Sequence, residues 1–185
     1  INQRSAVLNQ PLLPFVDKII SYLDEEHGSF KGAPKFPQFY LFDAMFYFYL
    51  KTNDEKYLKP VETLLKNICS KGIYDQLIGG IARYTVDDKW IIPHFEKMLY
   101  DNIQFISLLS KFYQSTKSDY FKSKLIQTIN YINTEFVNDI GLYGSAYDAD
   151  SEGVEGKFYT WSFDELSKIL PVSYTHLRAH ETSGY

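Results

Sequence analysis

The sequence predicts an all-α protein built from helical hairpins. Nine of the ten glycines fall into three short clusters, and the stretches between the clusters contain almost none. Those stretches carry apolar residues at spacings of three and four, which is the period of a helix with one buried face. Two helices separate each successive pair of clusters, so antiparallel packing of neighbours returns the chain to the same end each time. This is the plan of an α/α toroid or an α-solenoid with its irregular loops at one rim.

The first half of the chain contains three predicted helices. Residues 8–25 place leucine, valine and isoleucine at helical spacing, and residues 38–51 are almost entirely aromatic and apolar, which suits a helix buried on most sides. Residues 60–71 form the third helix, because Pro60 is favoured at a first helical position. A short helical turn at residues 54–58 is expected to precede it.

The second half contains a longer pair of helices and a short one. A single apolar stripe runs through residues 93–115, and a helix at residues 119–137 follows with Ser118 as its cap. Ser162 and Glu165 form a capping-box pattern ahead of the last helix. The total is about six helices, whereas a closed toroid of six hairpins needs twelve, so about half of a toroid is expected.

The composition limits the class of protein. The 185 residues correspond to one domain or part of one, and residues 1–171 are expected to form it. Lys and Arg total 19 against 23 Asp and Glu, a net charge of −4 that disfavours nucleic-acid binding. No apolar stretch approaches the ~20 residues that cross a bilayer, so no membrane association is expected. Cys69 is the single cysteine, which excludes an internal disulfide and favours the cytoplasm.

Three irregular loops carry recognisable motifs. Loop one, residues 28–37, contains APKFP. Loop two, residues 79–102, contains RYTVDDKW and PHFEKMLYDN, and loop three, residues 144–161, contains DADSEG followed by FYTW. These motifs resemble the thioredoxin-domain-containing proteins related to spermatogenesis-associated protein 20. The C-terminal part of that family is similar to the six-hairpin glycosidase and N-acylglucosamine 2-epimerase toroids.

The resemblance implies an (α/α)6 toroid with its loops around a central cavity. It also implies a thioredoxin-like domain upstream of Ile1 and further helices downstream. Three departures from the family pattern concern the shape of the loops: Ser29 and Ile78 stand where glycines are expected, and Ile81 stands where an aromatic residue is expected. Relatives of the fold include hydrolases, epimerases and isomerases, so the reaction has to be argued from the site.

His94 is the leading acid/base candidate of loop two. At the second position of a predicted helix, the helix dipole would favour its neutral form, and helical spacing would put Lys97 and Asp101 on its face. Glu96 and Tyr100 form an adjacent polar pair four residues apart. The alternative for His94 is a structural imidazole hydrogen-bonded to a neighbouring loop.

Loop three supplies further acid/base candidates. It holds four carboxylates within eight residues: Asp148, Asp150, Glu152 and Glu155. Crowding raises the pKa of one carboxyl relative to another, so such a set could supply an acid and a base for glycoside chemistry. The same carboxylates could equally cap helices and bind Arg83 or Lys35.

The remaining candidates would bind a substrate. Aromatic residues make up 17% of the chain, and tyrosine in this number suits polar, ring-lined surfaces such as sugar sites. Arg83, Tyr84 and Trp90 would present a guanidinium and two rings on a strand-like segment. The full candidate set for substrate binding is Lys35, Arg83, Tyr84, Trp90, Tyr100, Glu152 and Trp161.

No metal or cofactor is expected. DADSEG resembles the start of an EF-hand loop, but the twelfth position counted from Asp148 is Tyr159, where a bidentate Glu is required. Phosphate-binding loops and zinc spacings are missing from residues 1–170. The last segment, residues 172–185, places His176 and His180 four apart. It resembles translated adapter read-through, so it is treated as a non-native tail.

The sequence supports three hypotheses about function. The first is a carbohydrate-related domain that binds a small-molecule sugar, with epimerisation, isomerisation or hydrolysis shared between His94, Glu96, Asp101, Asp148 and Asp150. The second is a non-enzymatic binding or regulatory module attached to a thioredoxin-like domain. The third, an α-solenoid scaffold, ranks last because its repeats would have a fixed period of about 34 residues.

Overall fold

A computed structural model describes residues 13–170, and in this range the protein is helical with a few short strands. The helices are α1 (Leu13–Ile20), α2 (Phe39–Thr52), α3 (Glu55–Ser70), α4 (Leu99–Thr116), α5 (Asp119–Glu135) and α6 (Phe163–Ile169). The strands are β1 (Tyr84–Thr85), β2 (Pro93–His94), β3 (Lys97–Met98), β4 (Ala146–Tyr147), β5 (Asp150–Ser151) and β6 (Val154–Glu155). The predicted all-α class is confirmed.

Helix α3 corrects the prediction around Pro60. The predicted turn and the predicted helix are one continuous helix, and Pro60 lies inside it. Asp54 caps the helix by accepting a hydrogen bond from the backbone N–H of Lys56 at 3.0 Å. Because proline lacks only one donor, an early position in the helix costs a single backbone hydrogen bond.

Helix α1 is shorter than predicted at its C-terminal end. The helix ends at Ile20, not at residue 25, because Leu23 already pairs with Phe30 across loop one. The start of the predicted helix, residues 8–12, lies outside the described residues, as does the tail with His176 and His180.

The prediction that a helix starts at residue 93 is wrong. Residues 83–96 form an antiparallel hairpin in which Tyr84 lies opposite His94 and Thr85 opposite Pro93. The next strand, β3, pairs with β4, and α4 begins only at Leu99. Backbone pairing with two neighbouring segments outweighs the helical pattern of the apolar side chains.

The core is built on two parallel helices, α2 and α4. Phe39 packs against Phe105 with ring centroids 5.6 Å apart, and Phe46 packs against Phe112 at 6.2 Å. Both pairs have the same sequence offset and are separated by two helical turns, so the helices run in the same direction. Helices α3 and α5 pack against α2 and α4 respectively. Each pair is one helical hairpin, and the N-terminal ends of α2 and α4 lie side by side.

One type of turn recurs three times after the helices. Asp24, Asp75 and Asn138 each accept backbone hydrogen bonds with their own side chain two and three or four residues later. A bridge then closes each turn: Leu23 with Phe30, Tyr74 with Ile81, and Val137 with Tyr143. Glycines with positive φ complete the turns. In the first turn, a Cβ on Gly28 would lie 2.7 Å from the Leu64 Cα, so the helix packing itself requires glycine.

The loops meet at one rim within residues 13–148. Lys35 of loop one pairs with Thr85 of loop two through two backbone hydrogen bonds of 2.8 and 3.0 Å. Strand β3 of loop two pairs with β4, the start of loop three. The predicted arrangement of loops at one end of the helices is therefore confirmed for this part of the chain.

Residues 149–170 belong to a second compact unit. Strands β5 and β6 form a hairpin whose two turn residues, Glu152 and Gly153, both have positive φ, as a tight hairpin turn requires. Helix α6 begins with the predicted capping box of Ser162 and Glu165. In the described part of the chain, no helix is long and apolar enough to span a membrane.

Candidate functional site

Arg83 is held at the base of the loop-two hairpin. Its backbone N–H donates to the Glu96 carbonyl at 2.9 Å, and its Nη1 lies 3.1 Å from the Glu96 carboxylate. Both side chains are half-buried. The predicted candidate Glu96 therefore fixes the guanidinium and offsets its charge.

His94 is part of a column of three stacked rings. Its imidazole stacks on Tyr84 at 4.8 Å, and Tyr84 stacks on Phe36 of loop one at 4.7 Å. The strand register produces this arrangement, because His94 and Tyr84 lie opposite each other in the hairpin. The predictions that a helix dipole acts on His94, and that Lys97 and Asp101 share its helical face, are wrong, since His94 lies in β2.

The first turn of α4 carries Tyr100 and Asp101 next to Asn102. Asn102 is fully buried and clasps loop two, since its Oδ1 accepts from the Ile81 N–H at 2.8 Å and its Nδ2 donates to the Ile81 carbonyl at 3.1 Å. Sequence reasoning missed this residue. The signal was a polar amide at a position where the apolar pattern of the helix continues.

A pocket of about 190 Å³ lies between the N-terminal ends of α2 and α4. Its lining includes Arg83 from the loop-two hairpin, Asp101 and Gln104 from α4, and Tyr40 from α2. The other lining residues are Phe36, Pro37, Gln38, Phe39 and Tyr100. The pocket thus brings together three predicted site residues, Arg83, Tyr100 and Asp101, with rings and amides from two helices.

Two residues that line this pocket each have one buried polar atom without a hydrogen-bond partner within the described residues. The two atoms are the Nε of Arg83, a donor, and the Oδ2 of Asp101, an acceptor when ionised. A buried polar group without a partner costs about 1–3 kcal/mol, so native structures keep few of them. Both atoms belong to residues that line the same pocket, and each atom is itself shielded from solvent.

Burial raises the pKa of Asp101 to about 6, and the nearby positive charge of Arg83 opposes part of that rise. An acid with a pKa near the working pH can both accept and return a proton. Asp101 is therefore a candidate for a general acid or base.

Buried lysines lock loops one and two. Lys35, 1% exposed, lies 2.9 Å from Asp24 and donates to the Phe30 carbonyl at 2.8 Å. Lys97, 3% exposed, lies 2.8 Å from Asp75. Burial opposes the effect, but the hydrogen bond from Lys35 lowers the pKa of Asp24 to about 2. Lys35 was predicted to bind substrate, and the structure instead places its ammonium inside the loop.

Trp90 was also predicted to bind substrate, and it lies in the core. Its ring is 0% exposed, and its Nε1 donates to the His27 carbonyl at 2.7 Å. The Lys35 ammonium lies 5.5 Å from the ring centroid. The tryptophan therefore anchors the loop-two hairpin on the turn that precedes loop one and offers no face to a ligand.

The candidates of loop three are exposed. Asp148 follows β4, whereas the other candidates belong to the unit of residues 149–170. In that unit Asp150 and Glu155 lie opposite each other in the hairpin, and Glu152 pairs with Lys157. Trp161 is half exposed. Convergence of these side chains with the pocket stays a prediction. Within residues 13–170, no group of three or more His, Cys, Asp or Glu side chains could hold a metal ion.

Known proteins are similar to the chain along most of its length. No protein-family model matches it. Spermatogenesis-associated protein 20 of the mouse is 32% identical over 171 residues, which cover 87% of this chain and 22% of the mouse protein. The chain is homologous to spermatogenesis-associated protein 20. The human homologue is 32% identical over 158 residues, or 80% of this chain and 20% of its own length, so the chain spans about a fifth of these relatives.

Solved structures establish the fold. Cellobiose 2-epimerase from Spirochaeta thermophila superimposes with a TM-score of 0.59 at 14% identity, covering 76% of this chain and 41% of the epimerase. A family 76 glycoside hydrolase from a bovine Bacteroides thetaiotaomicron strain gives a TM-score of 0.53 at 18% identity, covering 77% of this chain and 32% of the hydrolase. The region homologous to spermatogenesis-associated protein 20 therefore has the fold of a partial (α/α)6 toroid.

Proposed function

We propose that this chain is part of a carbohydrate-related domain whose pocket between α2 and α4 binds a sugar. The observation that carries the proposal is the pair of unpartnered polar atoms, Arg83 Nε and Asp101 Oδ2, in one pocket. A hydroxyl group suits a donor such as Arg83 Nε and an acceptor such as Asp101 Oδ2, because a hydroxyl both accepts and donates. The solved structures with the same fold include a cellobiose 2-epimerase and a glycoside hydrolase, which act on sugars.

The proposed chemistry is proton transfer to or from the bound sugar. Asp101 is the acid/base group of the pocket, with Arg83 positioned to stabilise developing negative charge. Epimerisation, isomerisation and hydrolysis all need such a transfer. His94, Glu96, Asp148 and Asp150 remain proposed participants, and Tyr84, Glu152 and Trp161 remain proposed contacts to a larger substrate.

A non-enzymatic binding module is the second candidate. The observation that favours it is the structural use of predicted functional groups: Glu96 pairs with Arg83, and Lys35 pairs with Asp24. In this version the pocket binds a sugar without turning it over. The module would serve a thioredoxin-like domain in a longer protein, with residues 1–171 as the toroid part.

One experiment separates the two candidates. Binding of cellobiose, glucose and glucuronate to the full chain is measured by saturation-transfer NMR, followed by incubation in D2O. Deuterium at the carbon next to the carbonyl indicates epimerase or isomerase chemistry, and release of monosaccharide from cellobiose indicates hydrolysis. Binding with neither change supports the binding module. An absence of binding by every neutral and acidic sugar tested overturns the proposed function.

A further inference from the structure

We infer that the pocket between α2 and α4 selects neutral hydroxylated ligands and rejects sugars that carry a carboxylate or phosphate. The inference rests on the proposed sugar site and names its substrate class. It starts from the two unpartnered atoms, because an Arg83 Nε donor and an Asp101 Oδ2 acceptor are matched by a group that both accepts and donates. A hydroxyl does both, whereas a carboxylate only accepts.

The charge around the pocket leads to the same class. Arg83 would attract an anion, but its guanidinium is already paired with Glu96 at 3.1 Å. Asp101 accepts a hydrogen bond from Tyr100 and lies near the charge of Arg83, while its Oδ2 has no hydrogen-bond partner in the described residues. When Asp101 is ionised, the three groups together carry one net negative charge, so an anionic ligand is repelled. The N-terminal end of α2 adds a partial positive charge, but it is smaller than one full charge and does not cancel the net negative charge.

Asp101 also makes the selectivity depend on pH. The charged and titratable groups that act on it are Arg83, Tyr100 and Glu96, and α2 contributes the titratable Tyr40 to the pocket wall. Below a pH of about 6 the Asp101 carboxyl is protonated, so it no longer repels an anion and can donate to it. Discrimination against acidic sugars is therefore expected above this pH and lost below it.

The test uses glucose and glucuronate, which differ only at C6, and glucose 6-phosphate as a second anion. Dissociation constants for the full chain are measured at pH 5 and pH 8. Glucuronate and the phosphate are expected to bind about tenfold more weakly than glucose at pH 8, and glucuronate to approach glucose at pH 5. Equal or tighter binding of the anions at pH 8 overturns the inference. If no sugar binds at either pH, the proposed function fails with it.

Variants assign the effect to one residue. Asp101→Asn keeps the size of the side chain and removes its charge, so it should abolish the pH dependence of the glucose-to-glucuronate ratio. Asp88→Asn is the matched control, because Asp88 is exposed at the tip of the loop-two hairpin, and it should keep the wild-type ratio. Circular dichroism and melting curves establish that both variants fold. A folded Asp101→Asn protein with an unchanged pH dependence contradicts the assignment.

Discussion

The ionised form of Asp101 is expected to lower the stability of the folded state. Because its folded pKa is raised from 3.8 to about 6, the folded state binds its proton more tightly than the unfolded state. Its contribution to stability is present below pH 4 and declines as the pH rises from about 4 to 6. Asp101→Asn is therefore expected to raise the melting temperature at pH 8 by about 2–4 °C and to leave it unchanged at pH 4.

Differential scanning calorimetry at the two pH values checks this prediction, with Asp88→Asn measured beside it. A lower melting temperature for Asp101→Asn at pH 8 would show that the ionised carboxylate has stabilising partners. Such a result would show that Asp101, like Asp24, stabilises the fold through its ionised carboxylate.

Two variants distinguish a proton-transfer role of the His94 nitrogens from a structural role of its ring. His94→Phe keeps a ring for stacking on Tyr84 but removes the nitrogens, whereas His94→Asn removes the ring. If His94 transfers a proton, both variants should lose about 10²- to 10⁴-fold in turnover of a bound sugar with the fold intact. If the role is structural, only Asn should lower the melting temperature, by the loss of a stacking contact worth about 1 kcal/mol. Turnover unchanged in both variants would exclude a catalytic His94.

The sequence motifs predicted residues that line the pocket, but they did not distinguish these from residues that are buried. Arg83, Tyr100 and Asp101 were identified because they belong to recognisable motifs, and they line one pocket. Lys35 and Trp90 belong to motifs of the same kind, yet both are buried. Local sequence does not distinguish a buried ion pair from an exposed charge, because the partner Asp24 comes from a different turn.

Two of the three recurring turns, those of Asp24 and Asp75, each pair with a buried lysine. Lys35→Met removes the partner of Asp24 inside loop one and leaves an uncompensated charge, which costs about 3–5 kcal/mol when the pair is buried. Chemical denaturation of the full chain should show a loss of this order. Lys31→Met, at an exposed position of the same loop, should change the free energy of unfolding by less than about 0.5 kcal/mol. Equal effects of the two variants would contradict a stabilising role for the buried pair of Lys35 and Asp24.

Helices were predicted correctly where no strand pairing competed with the helical pattern of apolar residues. The apolar period placed α2 and α5 within one or two residues of their observed limits, and the capping box placed the start of α6. The same period failed at residues 93–98, where backbone pairing with β1 and β4 decides the structure. Pairing between segments distant in sequence leaves no local signal, so residues 93–98 of loop two were predicted as the start of a helix.

The helices of residues 13–148 expose several large apolar side chains, and these are expected to drive association. On α2, Tyr47 and Leu50 are 47% and 60% exposed, and on the neighbouring α4, Ile103 is 49% exposed. Exposed apolar side chains promote contact between copies of a chain when they lie close enough together to form a patch. Sedimentation velocity should therefore show the mean mass of the full chain rising with concentration. Leu50→Lys should weaken this association about tenfold, whereas Leu77→Lys, at an 82% exposed position in a turn, should leave it unchanged. If the chain stays monomeric at the highest concentration and unfolds in one cooperative step, these exposed apolar side chains do not drive association and the prediction is wrong.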